Sequence, residues 1–143
     1  MSTPSARPPL LLGLDVGTQS LRAALIDAHG RTVSVGVAPI ETTYPRPTWA
    51  EQNPIAWWSA AGEAVRLALA PHDVEPGQIA GIGLDCTACT VLACDMAGQP
   101  HRPALLWMDQ RAFREADEIS DTGSGPCASQ PPSTSVGRMS GQL

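Results

Sequence analysis

The chain has 143 residues, with 14 acidic against 9 basic side chains and a formal net charge of -5. That length suffices for one domain with a core. The acidic balance argues against a nucleic-acid partner, which calls for a basic patch, and no apolar run approaches the roughly 20 residues that cross a bilayer, so no membrane partner is expected. Met1 to Pro9 is short and polar and lacks the apolar centre of a secretory signal. Residues 1–9 therefore read as a disordered N-terminus and the location as cytoplasmic. Four cysteines occur, Cys86, Cys89, Cys94 and Cys127. The C-x-x-C spacing of Cys86 and Cys89 can mean zinc or redox chemistry, but no second Cys pair or close His pair completes a tetrahedral site. Within GIGLDCTACTVLACD they read as small hydrophobes, and free thiols suit a reducing compartment.

The first predicted element lies in LLLGLDVGTQSLRAALID, Leu10 to Asp27. An apolar strand ends in Asp15, Gly17 to Ser20 form a small polar turn, and a second apolar strand carries Arg22 near its start. Gly17 lets backbone approach a ligand closely. Thr18 and Ser20 supply hydroxyls, the turn supplies N–H donors, and Arg22 supplies a positive fork. Asp15 can hold a divalent cation or orient a water. These parts describe a phosphate and metal cradle. The plainer alternative is a hairpin turn in which Asp and Gly serve local geometry.

Ala28, His29 and Gly30 read as a turn, and Arg31 to Pro39 as a third strand completing an antiparallel meander, with Val33, Val35 and Val37 on one face. Ile40 to Asn53 is loop, ending in TWAEQNP. Trp49 can lie against the C–H face of a sugar and Glu51 can accept from its hydroxyls, or they can be a packing Trp and a solvated acid. Asn53 caps a helix and Pro54 takes its first turn. Ile55, Trp58, Ala61, Val65 and Leu69 form its predicted apolar face, and Pro71 ends it.

Ile79 to Cys86 is predicted as a strand buried on both faces, ending in Asp85, an acid that needs a partner or solvent. Thr87 to Cys94 is predicted as the next strand and DMAGQP as a turn. Ala104 to Trp107 reads as a short buried strand. A helix is predicted from about Asp109, with Asp109 as its cap, and Arg111 within reach of Glu115. From about Asp121 the sequence is rich in Ser, Gly and Pro, and such a segment buries too little to offset its ordering entropy.

LGLDVGTQSLRAALID resembles the phosphate-binding hairpin of the FGGY carbohydrate kinases, of the actin and hexokinase superfamily. TWAEQNP resembles their substrate-side W-x-E-Q/H-x-P segment, and GIGLDCTACTVLACDMAGQPHRPALLWMDQRA resembles the matching stretch of ribulokinase-like members. The resemblance runs from about Leu10 to Gly123. It implies an α/β, ribonuclease-H-like N-terminal lobe, incomplete here, with a mixed sheet and flanking helices over 10–120 and an off-family tail over 121–143. It further implies ATP and Mg2+ as cofactors, with Asp15, Gly17, Thr18, Gln19, Ser20 and Arg22 on the cofactor side and Asp15 at the metal.

Trp49, Glu51, Asp85, Thr87, Ala88, Asp109 and Arg111 are implied on the substrate side. Ala88 and its backbone face the sugar, Asp85 and Thr87 support it, and the Ala-Cys-Thr wording points to a ketopentose such as ribulose. The partners implied are a small sugar and ATP, with a homodimer allowed in complete relatives. The base is implied to be an Asp later in a complete relative, so no catalytic residue is assigned here. A truncated or frame-shifted product, inactive alone, is the expectation. A non-catalytic sugar- or nucleotide-binding fragment is the alternative. The cradle reading also requires Asp15, Glu51 and Asp109 to border one hollow.

Overall fold

The computed structural model of the chain describes residues 7–121, which fall into two compact units, one ending at Asp109 and one starting at Gln110. The tail beyond Asp121, Cys127 included, and residues 1–6 lie outside the described residues. Arg7, inside them, pairs with the Asp73 carboxylate at 2.8 Å.

In the first unit β1 (Leu10–Val16), β2 (Ser20–Asp27) and β3 (Thr32–Pro39) form the predicted antiparallel meander. β5 (Ile79–Cys86) joins β1 in parallel, giving a mixed sheet in the order β3-β2-β1-β5. β4 (Glu51–Gln52) pairs with β6 (Ala104–Leu105) in a separate two-stranded ladder. Helix α1 (Pro54–Leu69) begins as predicted, with Asn53 Oδ1 accepting from the Ile55 N–H at 3.0 Å.

Alternation along the strands sends Leu12, Leu21, Ala23, Leu25 and Ala38 to the α1 side. There they meet Ala60, Ala64 and Ala68. The helix lies close because both surfaces are small. A Cβ on Gly36 would stand 2.0 Å from the Ala64 carbonyl oxygen and 2.5 Å from the Ala68 nitrogen. Ser34 Oγ donates to the Ala68 carbonyl from the same face. Burying Leu21 and Leu25, the largest fully buried side chains, contributes about 1.5–3 kcal/mol each.

Four expectations need correction. The buried face of α1 is centred on the alanine ridge; of the predicted face Ala61, Val65 and Leu69 pack against the core, while Ile55 is exposed and Trp58 is 84% exposed. Val33, Val35 and Val37 share a face as expected, the exposed one turned from α1. β5 is not buried on both faces, since Ile82 and Leu84 are exposed; it sits at the sheet edge beside β1. Thr87 to Cys94 is no strand: it makes only isolated bridges, Val91 to Leu105 and Cys94 to Pro100, and Cys89 has φ 60. Left-handed backbone at a residue with a side chain interrupts the extended run. Cys86 and Cys89 are exposed, not small core hydrophobes, and with Cys94 they are free thiols as expected.

The turn between β2 and β3 is held by one carboxylate. Asp27 Oδ1 accepts from the His29 and Arg31 N–H groups at 2.8 and 2.9 Å, and Oδ2 from Arg31 Nε at 2.8 Å. The Arg31 backbone N–H chiefly, helped by the Arg31 side chain and the His29 N–H, holds this carboxyl below its ordinary range, against a smaller effect of burial. A carboxyl lowered in the folded state stabilises above its unfolded pKa and loses that contribution as pH falls through the folded value. Asp27→Ala is therefore less stable than wild type near neutrality, and the gap closes in acid. Urea midpoints of the two proteins at about pH 7 and about pH 3 check this.

In the second unit α2 runs over Phe113–Asp121. It starts later than predicted, with the Ala116 N–H donating to the Ala112 carbonyl at 2.9 Å, and Asp109 is not its cap.

Candidate functional site

The turn joining β1 to β2 is tight. The Gly17 N–H donates to the Ser20 carbonyl at 3.0 Å, and a Cβ at Gly17 would stand 3.1 Å from that same oxygen. The Gln19 carbonyl accepts from the Ile40 N–H at 2.9 Å. The Thr18 carbonyl accepts from Gln52 Nε2 at 2.6 Å and Thr42 Oγ1 at 3.2 Å. Gln52 is 2% exposed, and its Oε1 accepts from Trp57 Nε1 at 2.8 Å. The turn is thus fastened to the loop before α1 and to α1 itself.

Asp15 and Arg22 are cross-strand partners on the face turned from α1, joined at 2.7 Å between Arg22 Nη1 and Asp15 Oδ2. Asp85 stands beside Asp15 in the parallel register, and its Oδ1 accepts from the Cys86 N–H at 2.9 Å. All three line a shallow, open hollow of about 530 Å³ with Gly13 and Val35. Neighbouring strands lie about 4.8 Å apart, so two carboxylates and a guanidinium share one wall. Magnesium takes one or two carboxylates and completes its shell with water and phosphate oxygens, and the Asp15–Asp85 pair fits that donor set.

The segments 49–52 and 104–109 meet through backbone. The Leu106 N–H donates to the Ala50 carbonyl at 3.0 Å, and Asp109 Oδ2 accepts from the Ala50 N–H at 2.8 Å. That bond fixes Asp109 in place of the predicted helix cap. The Glu51 side chain, 14% exposed, receives Arg102 Nη2 at 3.3 Å, so it is no solvated loop acid. Arg46 lies over the Trp49 ring, 4.7 Å from its centroid. The Thr87 N–H donates to the Val16 carbonyl at 3.1 Å, and Thr87 Oγ1 lies 3.3 Å from Thr90 Oγ1. Ala88 follows directly. Arg111 belongs to the second unit.

The expectation of one hollow shared by Asp15, Glu51 and Asp109 is not met, so the cradle read from the sequence loses its substrate wall here and its geometric support is reduced to Asp15, Arg22 and Asp85. Asp15, Arg22 and Asp85 line theirs, while Thr87, Gln52 and Trp57 line another of about 530 Å³ on the α1 side, with Leu14 and Val16 in its wall. Alternation along β1 causes this, because Asp15 points opposite to its neighbours. Turn 17–20 bridges the groups: Trp107 Nε1 donates to Thr18 Oγ1 at 3.4 Å. Trp107, predicted in a buried strand, is 58% exposed. Trp107, Gln52, Thr42 and Arg102 enter the site through geometry. The only sequence signal for the first two was their position inside the WMDQR and WAEQ wording.

Residues 10–135 match the family model described as the FGGY family of carbohydrate kinases, N-terminal domain. The chain is 35% identical over 109 residues to a glycerol kinase of Thermococcus onnurineus, covering 76% of the chain and 22% of that protein. It is 33% identical over 117 residues to a glycerol kinase of Paracidovorax citrulli, covering 81% and 23%. Among solved structures, a xyloylose kinase from Brucella ovis is 34% identical with TM-score 0.76, over 80% of this chain and 24% of that one. A xylulose kinase from Rhodospirillum rubrum is 27% identical with TM-score 0.72, over 79% and 23%. The chain therefore spans a little under a quarter of the length of the relatives it matches. Its mixed sheet and helix are part of the actin- and hexokinase-like fold of these kinases. The chain belongs to the FGGY family of carbohydrate kinases.

Proposed function

We propose that this lobe supplies the phosphate side of a site in which ATP phosphorylates a hydroxyl of a small polyol or ketose. The observation that carries the reading is the convergence of Asp15, Arg22 and Asp85 on one hollow, on the two strands that the 17–20 turn joins and the strand beside them. Phosphoryl transfer needs positive and N–H groups aimed at developing negative charge. Arg22 and the turn N–H groups of Thr18 and Gln19 serve that need, the Gly17 N–H being spent on the Ser20 carbonyl. Asp15, with Asp85 beside it in the parallel register, would hold magnesium, which would supply neutralisation of phosphate charge.

The substrate side falls to Trp49, Glu51, Thr87, Ala88 and Asp109. The ties of Glu51 to Arg102 and of Asp109 to the Ala50 N–H support a fixed, pre-oriented wall. The finer reading is a ketopentose such as ribulose, from the Thr87-Ala88-Cys89-Thr90 wording. The relatives are named for glycerol and xylulose, which makes those two the natural comparators. Transfer also needs a base for the attacking hydroxyl, which the family resemblance assigns to a later part of complete relatives.

The test is a coupled assay with Mg-ATP and glycerol, xylulose or ribulose. It uses the 143-residue chain and a chimera in which residues 10–109 replace their counterpart in the Thermococcus onnurineus glycerol kinase. The chain alone turns over none of the three, and the chimera turns over at least one. Turnover by the chain alone overturns the single-lobe reading; a folded chimera inert on all three overturns the kinase reading.

A further inference from the structure

The turn lies in a small region, yet the group that fixes it comes from far along the chain. Gln52, 34 residues away, is the one buried polar side chain among the described residues. Its amide group spends both ends on other segments: Nε2 on the Thr18 carbonyl and Thr42 Oγ1, Oε1 on the Trp57 indole. A peptide unit is planar and trans, so its carbonyl and its N–H point in opposite directions. A donor that fixes the direction of the Thr18 carbonyl also fixes the direction of the Gln19 N–H, which belongs to the same plane. Among the described residues no acceptor is paired with that N–H.

We infer that Gln52 is a positioning residue that, through the Thr18–Gln19 peptide plane, aims the Gln19 N–H at a bound phosphate group. The inference rests on the phosphate reading of the turn given above. Trp57 holds Gln52 in the orientation that presents its NH2 end to Thr18, since the indole N–H can only donate and so selects the oxygen end of the amide. The arrangement is a relay from α1 to the turn, made of two hydrogen bonds and one rigid plane. Losing Gln52 leaves the Thr18 carbonyl with the longer Thr42 bond alone, and the plane is free to turn.

The experiment uses the labelled 143-residue chain, with the Thr18 carbonyl carbon shift as a readout of that hydrogen bond and the Gln19 amide shift as a readout of Mg-ATP binding. In Gln52→Leu the Thr18 carbonyl shift moves and Mg-ATP binds about tenfold more weakly, the size expected for one well-placed hydrogen bond. Gln52→Glu keeps the acceptor for Trp57 but loses the donor, and shows the same Thr18 shift change and the same loss of Mg-ATP affinity at neutral pH. A merely structural role lowers the urea midpoint of the variants and leaves the Gln19 amide response to Mg-ATP as in wild type.

Where Gln52→Leu fails to fold, Thr42→Val supplies a smaller change of the same sign. A folded Gln52→Leu with unchanged Thr18 shift and unchanged Mg-ATP affinity overturns the inference. A wild-type chain that ignores Mg-ATP, while its Thr18 shift depends on Gln52, overturns the phosphate reading and supports the hold on the peptide plane.

Discussion

Gly36→Ala lowers the stability of the first unit by about 3 kcal/mol, the upper end for an overpacked core. The added Cβ would meet the Ala64 carbonyl oxygen at 2.0 Å, the Ala68 nitrogen at 2.5 Å and the Leu67 Cβ at 2.8 Å. Two of these are backbone atoms of a hydrogen-bonded helix, so no rotamer change relieves the clash. The helix must lift from β3, and the contacts of Ala60, Ala64 and Ala68 with the sheet loosen together. Gly62→Ala is the matched control. It sits on the exposed side of the same helix with open space around its Cβ, and there alanine is favoured by about 0.5–1 kcal/mol. Urea unfolding of both variants checks the pair. Opposite signs are expected, and equal small effects would mean that α1 does not pack on Gly36.

Arg22→Ala in the chimera lowers kcat by about 10²–10³-fold while the KM for the sugar changes little, as for loss of one preorganised group facing developing charge. Arg22 reaches its place through β2 alternation and its bond to Asp15. The pair is about half exposed, so its own contribution to stability is small, and the variant should fold. A loss confined to sugar KM would place Arg22 on the substrate side instead.

Much of the hairpin was legible because its signals are local. Asp15, Gly17 and Arg22 lie within eight positions, and the tight turn between the strands sets the register that makes Asp15 and Arg22 partners on one face. The start of α1 was equally legible, since Asn53 and Pro54 act on their immediate neighbours. Its packing face was not. Trp58 and Ile55 look like core by hydrophobicity but are exposed, and the helix instead turns Ala64 and Ala68 to the β3 strip of Ser34, Gly36 and Ala38, where only small partners fit. The apolar run of β5 signals burial without naming what covers it, and Ile82 and Leu84 are exposed.

The site was legible as a set of motifs but not as a geometry. Nothing in the spacing of residues shows that Gln52 holds Thr18, that Trp107 reaches the Thr18 hydroxyl across 89 positions, or that Asp109 is spent on the Ala50 N–H. The division of the acids between separate places follows from strand alternation on β1, which the sequence shows, combined with the fold of 49–52 against 104–109, which it does not.

The most direct test of the phosphate cradle is paramagnetic broadening of the labelled chain by Mn-ATP, where manganese replaces magnesium beside the nucleotide's terminal oxygens. The amides of Asp15, Gly17 to Ser20 and Asp85 should broaden first, and excess Mg-ATP should restore them. Broadening centred on Thr87 to Leu92 or on the alanine ridge of α1, with residues 15–22 untouched, would contradict it.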